Sequence, residues 1–213
     1  MVGSDYMREV YLMRHSEAIK PKNINNNDTL QVQNEKWVLS KKGEDLARKI
    51  GSNEIFLDFD MVFSSNYVRA ISTAKNFTDD VIYIDENFGE RRFGINNWDE
   101  LPDNFEKRQF EDFDYKTSSG ESLNEVSERE YDSLINILNN YKFRKILIVG
   151  HSTAFAALFT KWCNVTYDSG YYFKNEKFFD GRWQCCTTFK LLFNDDNELV
   201  DIFALNMNDF LNK

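Results

Sequence analysis

Proline and glycine are scarce in this sequence, with two Pro and nine Gly among 213 residues. That scarcity excludes collagen-like and Pro/Gly-rich low-complexity architectures. No apolar run approaches the ~20 residues that a membrane-spanning helix needs. Residues 1–9 carry acidic side chains and no apolar core, so we expect no signal peptide there. The length predicts a single domain that spans residues 1–213.

Cysteines are also few, and basic residues are fewer than acidic ones. The three cysteines, Cys163, Cys185 and Cys186, lack the even number and the spacing of a disulfide framework. They indicate reduced thiols and a cytoplasmic location. The 26 basic and 35 acidic residues give a net charge of −9, which argues against nonspecific binding to nucleic acid or anionic membranes.

Apolar runs alternate with helical patterns through residue 163. Four of these runs are typical of buried strands and lie at residues 10–13, 61–63, 81–84 and 146–149. Two further strands, at 187–193 and 199–205, flank a turn-rich tetrapeptide and predict a hairpin. The pattern predicts an α/β three-layer sandwich, with a mostly parallel central sheet flanked by helices and an antiparallel hairpin near the C-terminus.

Capping residues mark the predicted helices. Ser40 is a plausible N-cap, and Ser122 forms a capping box with Glu125. The helix after Ser122 carries an apolar face as far as Tyr141, which Glu130 interrupts without an evident reason.

Two segments lack a clear periodicity. The Asn-rich segment 22–34 is predicted to be a loop or mobile flap. Residues 88–117 are charged, irregular and rich in aromatic side chains, and we expect residues 88–120 to form an inserted lid.

The sequence has two histidines, and both follow apolar strand segments. His15 lies two residues after Met13, and His151 lies two residues after Val149. Because ligands bind beyond the carboxyl ends of strands in open α/β sheets, the two imidazoles could converge on one crevice. Metal-ligand spacings, a Gly-x-Ser-x-Gly elbow and Gly-rich phosphate loops are all absent from the sequence, so we expect no metal ion.

Two arginines favour a phosphoryl ligand. Arg14 precedes His15, and Arg69 opens the helix after the second strand. Guanidinium groups form paired hydrogen bonds with phosphate and keep their charge at all relevant pH values. A helix that starts near Ser152 would add backbone amides. These residues predict a pocket for a dianionic phosphoryl group.

Five segments, taken together and in order, resemble the motifs of the histidine phosphatase superfamily, which includes the cofactor-dependent phosphoglycerate mutases. The segments lie at residues 14–18, 64–70, 90–94, 120–123 and 150–152. In the first segment Ser16 stands where the family usually has Gly.

The resemblance implies a mechanism without a metal ion or cofactor. His15 would attack phosphorus, and Glu90 would protonate the leaving oxygen and later activate water. Arg14, Arg69 and His151 would stabilise charge on the phosphoryl group. The expected substrate-binding residues are Arg14, Ser16, Arg69, Arg91, His151 and Ser152.

Three functions are compatible with these residues. The favoured one is a histidine acid phosphatase-type phosphomonoesterase that acts on a small phosphorylated metabolite. A phosphoglycerate-type mutase is second, because segment 99–117 is acidic and lacks paired arginines for a substrate carboxylate, for which it offers Lys107 and Arg108. A noncatalytic phospho-ligand module is third, since His15 and Glu90 are both present. The sequence is compatible with a homodimer but does not fix the oligomeric state.

Overall fold

The computed structural model describes residues 7–23, 25 and 27–211. In chain order its strands are β1 (Arg8–Arg14), β2 (Ala18–Ile19), β3 (Val38–Leu39), β4 (Met61–Ser64), β5 (Ile82–Ile84), β6 (Lys145–Gly150), β7 (Asn164–Thr166), β8 (Gly170–Phe173), β9 (Glu176–Phe179), β10 (Thr188–Phe193) and β11 (Leu199–Ala204). Its α-helices are α1 (Leu30–Glu35), α2 (Lys41–Gly51), α3 (Val68–Ala74), α4 (Phe105–Glu111), α5 (Leu123–Asn140), α6 (Ser152–Phe159) and α7 (Asn208–Leu211). Within the described residues, no helix is long and apolar enough to cross a membrane. Residues 1–6, which belong to the segment expected not to be a signal peptide, lie outside the described residues.

A six-stranded sheet forms the centre of the fold, in the order β11-β10-β1-β6-β4-β5. The neighbouring strands β1, β6, β4 and β5 run parallel. β10 and β11 form an antiparallel hairpin at one edge, where β10 pairs with β1. The predicted mostly parallel sheet and its C-terminal hairpin are therefore confirmed.

Alternate side chains of β1 enter two different cores. Val10 and Leu12 pack in a core that also contains residues of α5 and α6. Tyr11 and Met13 pack on the opposite face in a core that contains residues of α2 and α3. Because helices cover both faces of the sheet, the central strands are apolar at successive positions, as the sequence patterns indicated.

Three segments differ from the expectations. The Asn-rich segment predicted as a loop ends in α1, whose first turn is capped by Thr29. The segment predicted to be irregular at 88–117 contains α4. β7, β8 and β9 form a small antiparallel sheet that no pattern indicated, because strands of three or four residues are too short to show an alternation.

Helix α5 begins with the predicted capping box, in which Ser122 and Glu125 bond to each other's backbone N–H. Tyr141 does not continue the buried face, since it ends the helix as its C-cap and is 38% exposed. Glu130, by contrast, lies on the buried face and is fully buried, with no hydrogen-bond partner for either carboxyl oxygen within the described residues. Burial is the main cause that raises its pKa well above the usual value.

Glu130→Leu is expected to stabilise the fold by about 1–3 kcal/mol, because it replaces an unpartnered buried carboxyl group with an apolar side chain. Above the ordinary pKa of a glutamate, Glu130 is still protonated in the folded state but has lost its proton in the unfolded state. The free energy of unfolding of the wild type therefore falls as pH rises. The gain from Glu130→Leu should therefore grow from pH 5 to pH 8.

Chemical denaturation at several pH values measures this effect. Glu128→Gln is the matched control, because Glu128 is exposed on the same helix and its ion pair with Lys161 is a surface pair. Loss of stability in Glu130→Leu at every pH would contradict the interpretation of Glu130 as an unsatisfied group.

Candidate active site

The two histidines lie side by side at the carboxyl ends of neighbouring parallel strands. In the register of β1 and β6, Arg14 lies opposite Gly150, so the residues after both strands leave the sheet at the same edge. The backbone N–H of His15 donates to the Gly150 carbonyl oxygen over 2.9 Å. The centroids of the His15 and His151 rings are 5.2 Å apart. The structure therefore brings together the two imidazoles that the sequence placed at strand ends.

The hydrogen bonds of His15 fix its tautomer. Nδ1 lies 2.7 Å from the carbonyl oxygen of Ser16, which can only accept, so Nδ1 carries the proton. Nε2 is then an acceptor, and Nε of Arg69 donates to it over 3.1 Å. Burial, followed by the charge of Arg69, lowers the pKa of His15 to about 3. His15 is therefore neutral at neutral pH and has its lone pair on Nε2.

The Arg69 guanidinium joins the two histidines. Its Nη2 lies 3.4 Å from Nδ1 of His151, and its Nη1 donates to the backbone carbonyl oxygen of Asn34 over 2.6 Å. The Tyr67 ring centroid lies 4.6 Å from Cζ of Arg69. The first turn of α3, which follows β4, carries Arg69 to this edge of the sheet. These contacts hold the guanidinium in place in a nearly dry environment.

His151 is fully buried between polar and aromatic neighbours. Its Nε2 lies 2.9 Å from Oγ of Ser65, and its ring centroid lies 4.4 Å from that of Tyr67. Burial, followed by the charge of Arg69, lowers the pKa of His151 well below its usual value. A dianion bound beside His151 would favour the charged imidazolium and so raise this pKa, against the effects of burial and of Arg69.

Arg14 ends β1 with part of its hydrogen-bonding capacity free. Nη1 donates to the carbonyl oxygen of Trp183 over 2.8 Å. Nε is buried and has no hydrogen-bond partner within the described part of the chain. After burial and the charge of Arg69, the charge of Arg14 also lowers the pKa of His15, so Arg14 lies near this imidazole.

Arg129 of α5 fixes the backbone around Glu90. Its guanidinium donates to the carbonyl oxygens of Asn87, Gly89 and Glu90, the last two over 3.0 and 3.3 Å. The same guanidinium pairs with the Glu121 carboxylate at 2.9 and 3.0 Å. Burial lowers the pKa of Arg69, and the negative charge of Glu90 partly offsets this effect. Glu90 therefore lies near the same cluster.

Ser16 does not offer a free group to a ligand. It is fully buried, its hydroxyl donates to the Gly43 carbonyl oxygen over 2.7 Å, and its N–H donates to Oγ1 of Thr73 over 3.0 Å. The hydroxyl, which the family's usual Gly lacks, links the end of β1 to α2, and the backbone N–H links it to α3.

Ser152 and Arg91 each directly follow a site residue in the sequence, His151 and Glu90 respectively. Ser152 is the first residue of α6 and lines a cavity of about 80 Å³ together with Thr153, Glu106 and Trp183. Arg91 is buried next to Glu90, and its Nη2 lies 3.9 Å from Oε1 of Glu106.

Sequence reasoning missed four residues that shape the site, which are Asn34, Tyr67, Arg129 and Trp183. Asn34 and Trp183 accept through backbone carbonyl oxygens, which a side-chain pattern cannot reveal. Arg129 lies on α5, whereas its partner Glu121 precedes the helix and its N-cap, so no helical spacing indicated their contact.

The protein is thus an α/β protein with a mostly parallel sheet. Two histidines and two arginines lie at the carboxyl edge of that sheet. The chain belongs to the histidine phosphatase superfamily (branch 1), whose family model matches residues 10–178.

Two solved structures illustrate the similarity of the fold. A mycobacterial glucosyl-3-phosphoglycerate phosphatase is 17% identical, with a TM-score of 0.66 over 94% of this chain and 100% of that chain. A phosphoserine phosphatase from Entamoeba histolytica is 16% identical, with a TM-score of 0.63 over 92% of this chain and 96% of that chain. No curated protein matches the sequence.

Proposed function

We propose that this chain is a metal-independent phosphomonoester hydrolase of the histidine acid phosphatase type, which acts on a small phosphorylated metabolite through a phosphohistidine. The observation that carries the proposal is a neutral His15 whose Nε2 lies 3.1 Å from Arg69. A neutral ring nitrogen can attack phosphorus, and an adjacent guanidinium can hold phosphoryl oxygens. The names of both structural relatives describe phosphatases of small phosphorylated compounds, which supports the same reaction class.

In the first step the Nε2 lone pair of His15 attacks phosphorus, and the bond from phosphorus to the ester oxygen breaks. Glu90 donates a proton to that oxygen, so an alcohol leaves. The imidazole gains positive charge, which the Ser16 carbonyl oxygen stabilises by accepting from Nδ1–H.

In the second step a water oxygen attacks the phosphorus of the phosphohistidine. The Glu90 carboxylate accepts a proton from this water, and the bond between phosphorus and Nε2 of His15 breaks. Inorganic phosphate leaves, and both residues return to their starting protonation states.

Arg14, Arg69 and His151 supply the hydrogen bonds to the nonbridging phosphoryl oxygens. The Nε–H of Arg14 has no hydrogen-bond partner within the described residues to give up. Arg69 exchanges its donation to His15 for donation to the phosphoryl group, and this exchange also frees the nucleophilic lone pair. Such preorganised charge is the main protein contribution to phosphoryl transfer.

We favour hydrolysis over a mutase reaction because Lys107 and Arg108 of α4 already have partners. Lys107 pairs with Glu111 at 3.8 Å, and Cζ of Arg108 lies 4.1 Å from the Tyr115 ring centroid. Neither forms the paired-arginine patch of a phosphoglycerate mutase.

We assign residues 88–120 as a lid within one domain that spans residues 1–213.

An assay in the presence of a chelator tests the reaction class. Release of inorganic phosphate from p-nitrophenyl phosphate should continue with EDTA at the rate seen without it. Activity that requires added metal would contradict the proposal. Isomerisation of a phosphoglycerate that depends on a bisphosphorylated primer would instead assign the chain to the mutases.

Glu90→Gln is expected to lower kcat by about 10²-fold on alkyl phosphates, because an alkoxide is a poor leaving group without a proton donor. On p-nitrophenyl phosphate, whose leaving group needs little protonation, the loss in the first step should be much smaller. Single-turnover rates for both substrates measure the contrast.

Glu44→Gln is the matched control, since Glu44 is exposed on α2 and is not one of the site residues. An equal loss on both substrates in Glu90→Gln would show that Glu90 does not act as the proton donor.

A further inference from the structure

Four aromatic side chains line the cavity of about 80 Å³ to which Ser152 also belongs. We call them the aromatic cage, and they are Phe110, Tyr167, Tyr171 and Trp183. Tyr171 is 3% exposed, whereas Tyr167 is 45% exposed. The cage therefore has one wall in the interior of the protein and one wall at its surface.

The side chains of the cage contact each other in two pairs. The ring centroids of Phe110 and Tyr167 are 5.7 Å apart, and those of Tyr171 and Trp183 are 6.3 Å apart. The rings of both pairs are tilted rather than stacked, with interplanar angles of 54° and 59°. Nε1 of Trp183 also donates to the hydroxyl oxygen of Tyr171 over 3.0 Å. The walls are thus held in place without a ligand, which lowers the entropic cost of binding one.

Glu106 is the one charged residue among the described residues that line this cavity. Its nearest cation is Arg91, whose Nη2 lies 3.9 Å from Oε1, longer than a hydrogen bond, and which lines a neighbouring cavity instead. Burial is the main cause that raises the pKa of Tyr171 to about 12, and the charge of Glu106 acts in the same direction. The negative potential of Glu106 therefore extends to the interior wall of the cage.

Aromatic walls and one carboxylate together favour a cation without N–H groups. Aromatic faces attract cations, and a carboxylate attracts cations and repels anions. A primary ammonium group would leave part of its N–H groups unpaired against the rings, which costs free energy. A quaternary ammonium group has no N–H to satisfy, and its methyl groups pack against aromatic carbon.

The cavity is directly connected to the residues proposed to bind the phosphoryl group. Ser152 follows His151 in the sequence, and the backbone carbonyl oxygen of Trp183 accepts from Nη1 of Arg14 over 2.8 Å. Helix α6 begins at Ser152, and its N-terminus favours an anion. A small molecule with a phosphoryl group at one end and a cation at the other matches this distribution of charge.

Building on the proposed hydrolase activity, we propose that the aromatic cage and Glu106 bind a quaternary ammonium group of the leaving alcohol. The preferred substrate class is then the phosphate monoester of an alcohol that carries a trimethylammonium group, of which phosphocholine is a simple example. The cage and Glu106 determine specificity and take no part in the bonds that form and break.

Four phosphate monoesters test this inference, because they combine the positive charge and the methyl groups in every way. Phosphocholine has both, 3,3-dimethylbutyl phosphate has the methyl groups, O-phosphoethanolamine has the charge, and ethyl phosphate has neither. We expect kcat/KM for phosphocholine to exceed that for each of the others by about tenfold or more. A higher value for 3,3-dimethylbutyl phosphate than for phosphocholine would show an ordinary apolar pocket and overturn the inference.

Two variants separate recognition of the cation from structural damage. The quantity to compare is the ratio of kcat/KM for phosphocholine to kcat/KM for 3,3-dimethylbutyl phosphate, two compounds of the same shape. Glu106→Gln removes the carboxylate, and Tyr167→Leu replaces an aromatic ring with an aliphatic side chain, so each should lower this ratio about threefold or more.

Glu111→Gln and Tyr141→Leu are the matched controls, because both residues are exposed and do not line the cavity. Both controls should keep the wild-type ratio. If Glu106→Gln and Tyr167→Leu lowered kcat/KM for all four esters by the same factor, with the ratio intact, their role would be structural and the inference would be overturned.

Binding keeps this test separate from the proposed function. Calorimetric Kd values for His15→Ala, which lacks the proposed nucleophile, should also show the tightest binding for phosphocholine. Hydrolysis of p-nitrophenyl phosphate without any preference among the four esters would overturn the inference alone. A wild-type protein that hydrolyses none of these compounds but binds phosphocholine best would overturn the hydrolase and retain the cation site. Equal Kd values for all four esters would overturn the cation site.

Discussion

His15→Ala is expected to lower kcat for phosphomonoester hydrolysis by at least about 10⁴-fold, because the variant has no nitrogen at which a phosphoryl group can be carried. Binding of inorganic phosphate should persist, since Arg14, Arg69 and His151 remain around the site. Steady-state kinetics and calorimetric phosphate titration measure the two quantities separately.

The contrast between catalysis and binding distinguishes loss of a nucleophile from misfolding. A variant that loses both activity and phosphate binding, with an altered circular dichroism spectrum, would indicate structural damage, and His15→Gln would then serve as the second variant. Activity within tenfold of wild type in a folded His15 variant would contradict the proposed role.

Arg69→Gln is expected to lower kcat/KM by roughly 10³-fold, because the phosphoryl group loses a charged donor in a site with little water. Unlike His15→Ala, it should also weaken phosphate binding. The charge of Arg69 helps to lower the pKa of His15, so its removal should raise that pKa. Protonation of His15 blocks attack, and the acidic limb of the pH profile of kcat/KM should therefore move to higher pH.

Arg48→Gln is the matched control for this substitution. Arg48 is exposed on α2, and its ion pair with Asp45 is a surface pair. If Arg69→Gln weakened catalysis but left phosphate binding and the acidic limb unchanged, Arg69 would not be the group that holds the phosphoryl oxygens beside His15.

Much of this site could be predicted because the relevant signals are local in the sequence. His15 and His151 each follow an apolar strand, and parallel pairing of β1 with β6 then places them at one edge. The capping box at Ser122 likewise depends on residues three positions apart. Such features follow from strand burial and helix capping without knowledge of tertiary contacts.

Other features depend on contacts that no local pattern encodes. Arg69 donates to the backbone carbonyl oxygen of Asn34, and Arg14 donates to that of Trp183. Both acceptors lie in segments that are distant along the chain. The resemblance implied that Ser16 binds the substrate, but Ser16 is fully buried and its hydroxyl donates to the Gly43 carbonyl oxygen. The exact surroundings of a polar side chain are therefore the part that required coordinates.

The most direct measurement of the central claim is the identification of a covalent intermediate. Protein mixed with excess p-nitrophenyl phosphate should be quenched within one turnover and mapped by mass spectrometry under alkaline conditions, which preserve phosphohistidine. The account predicts a phosphoryl group on the peptide that contains His15, and none on that peptide in His15→Ala. A label on a different residue, or rapid turnover with no labelled protein at any quench time, would contradict it.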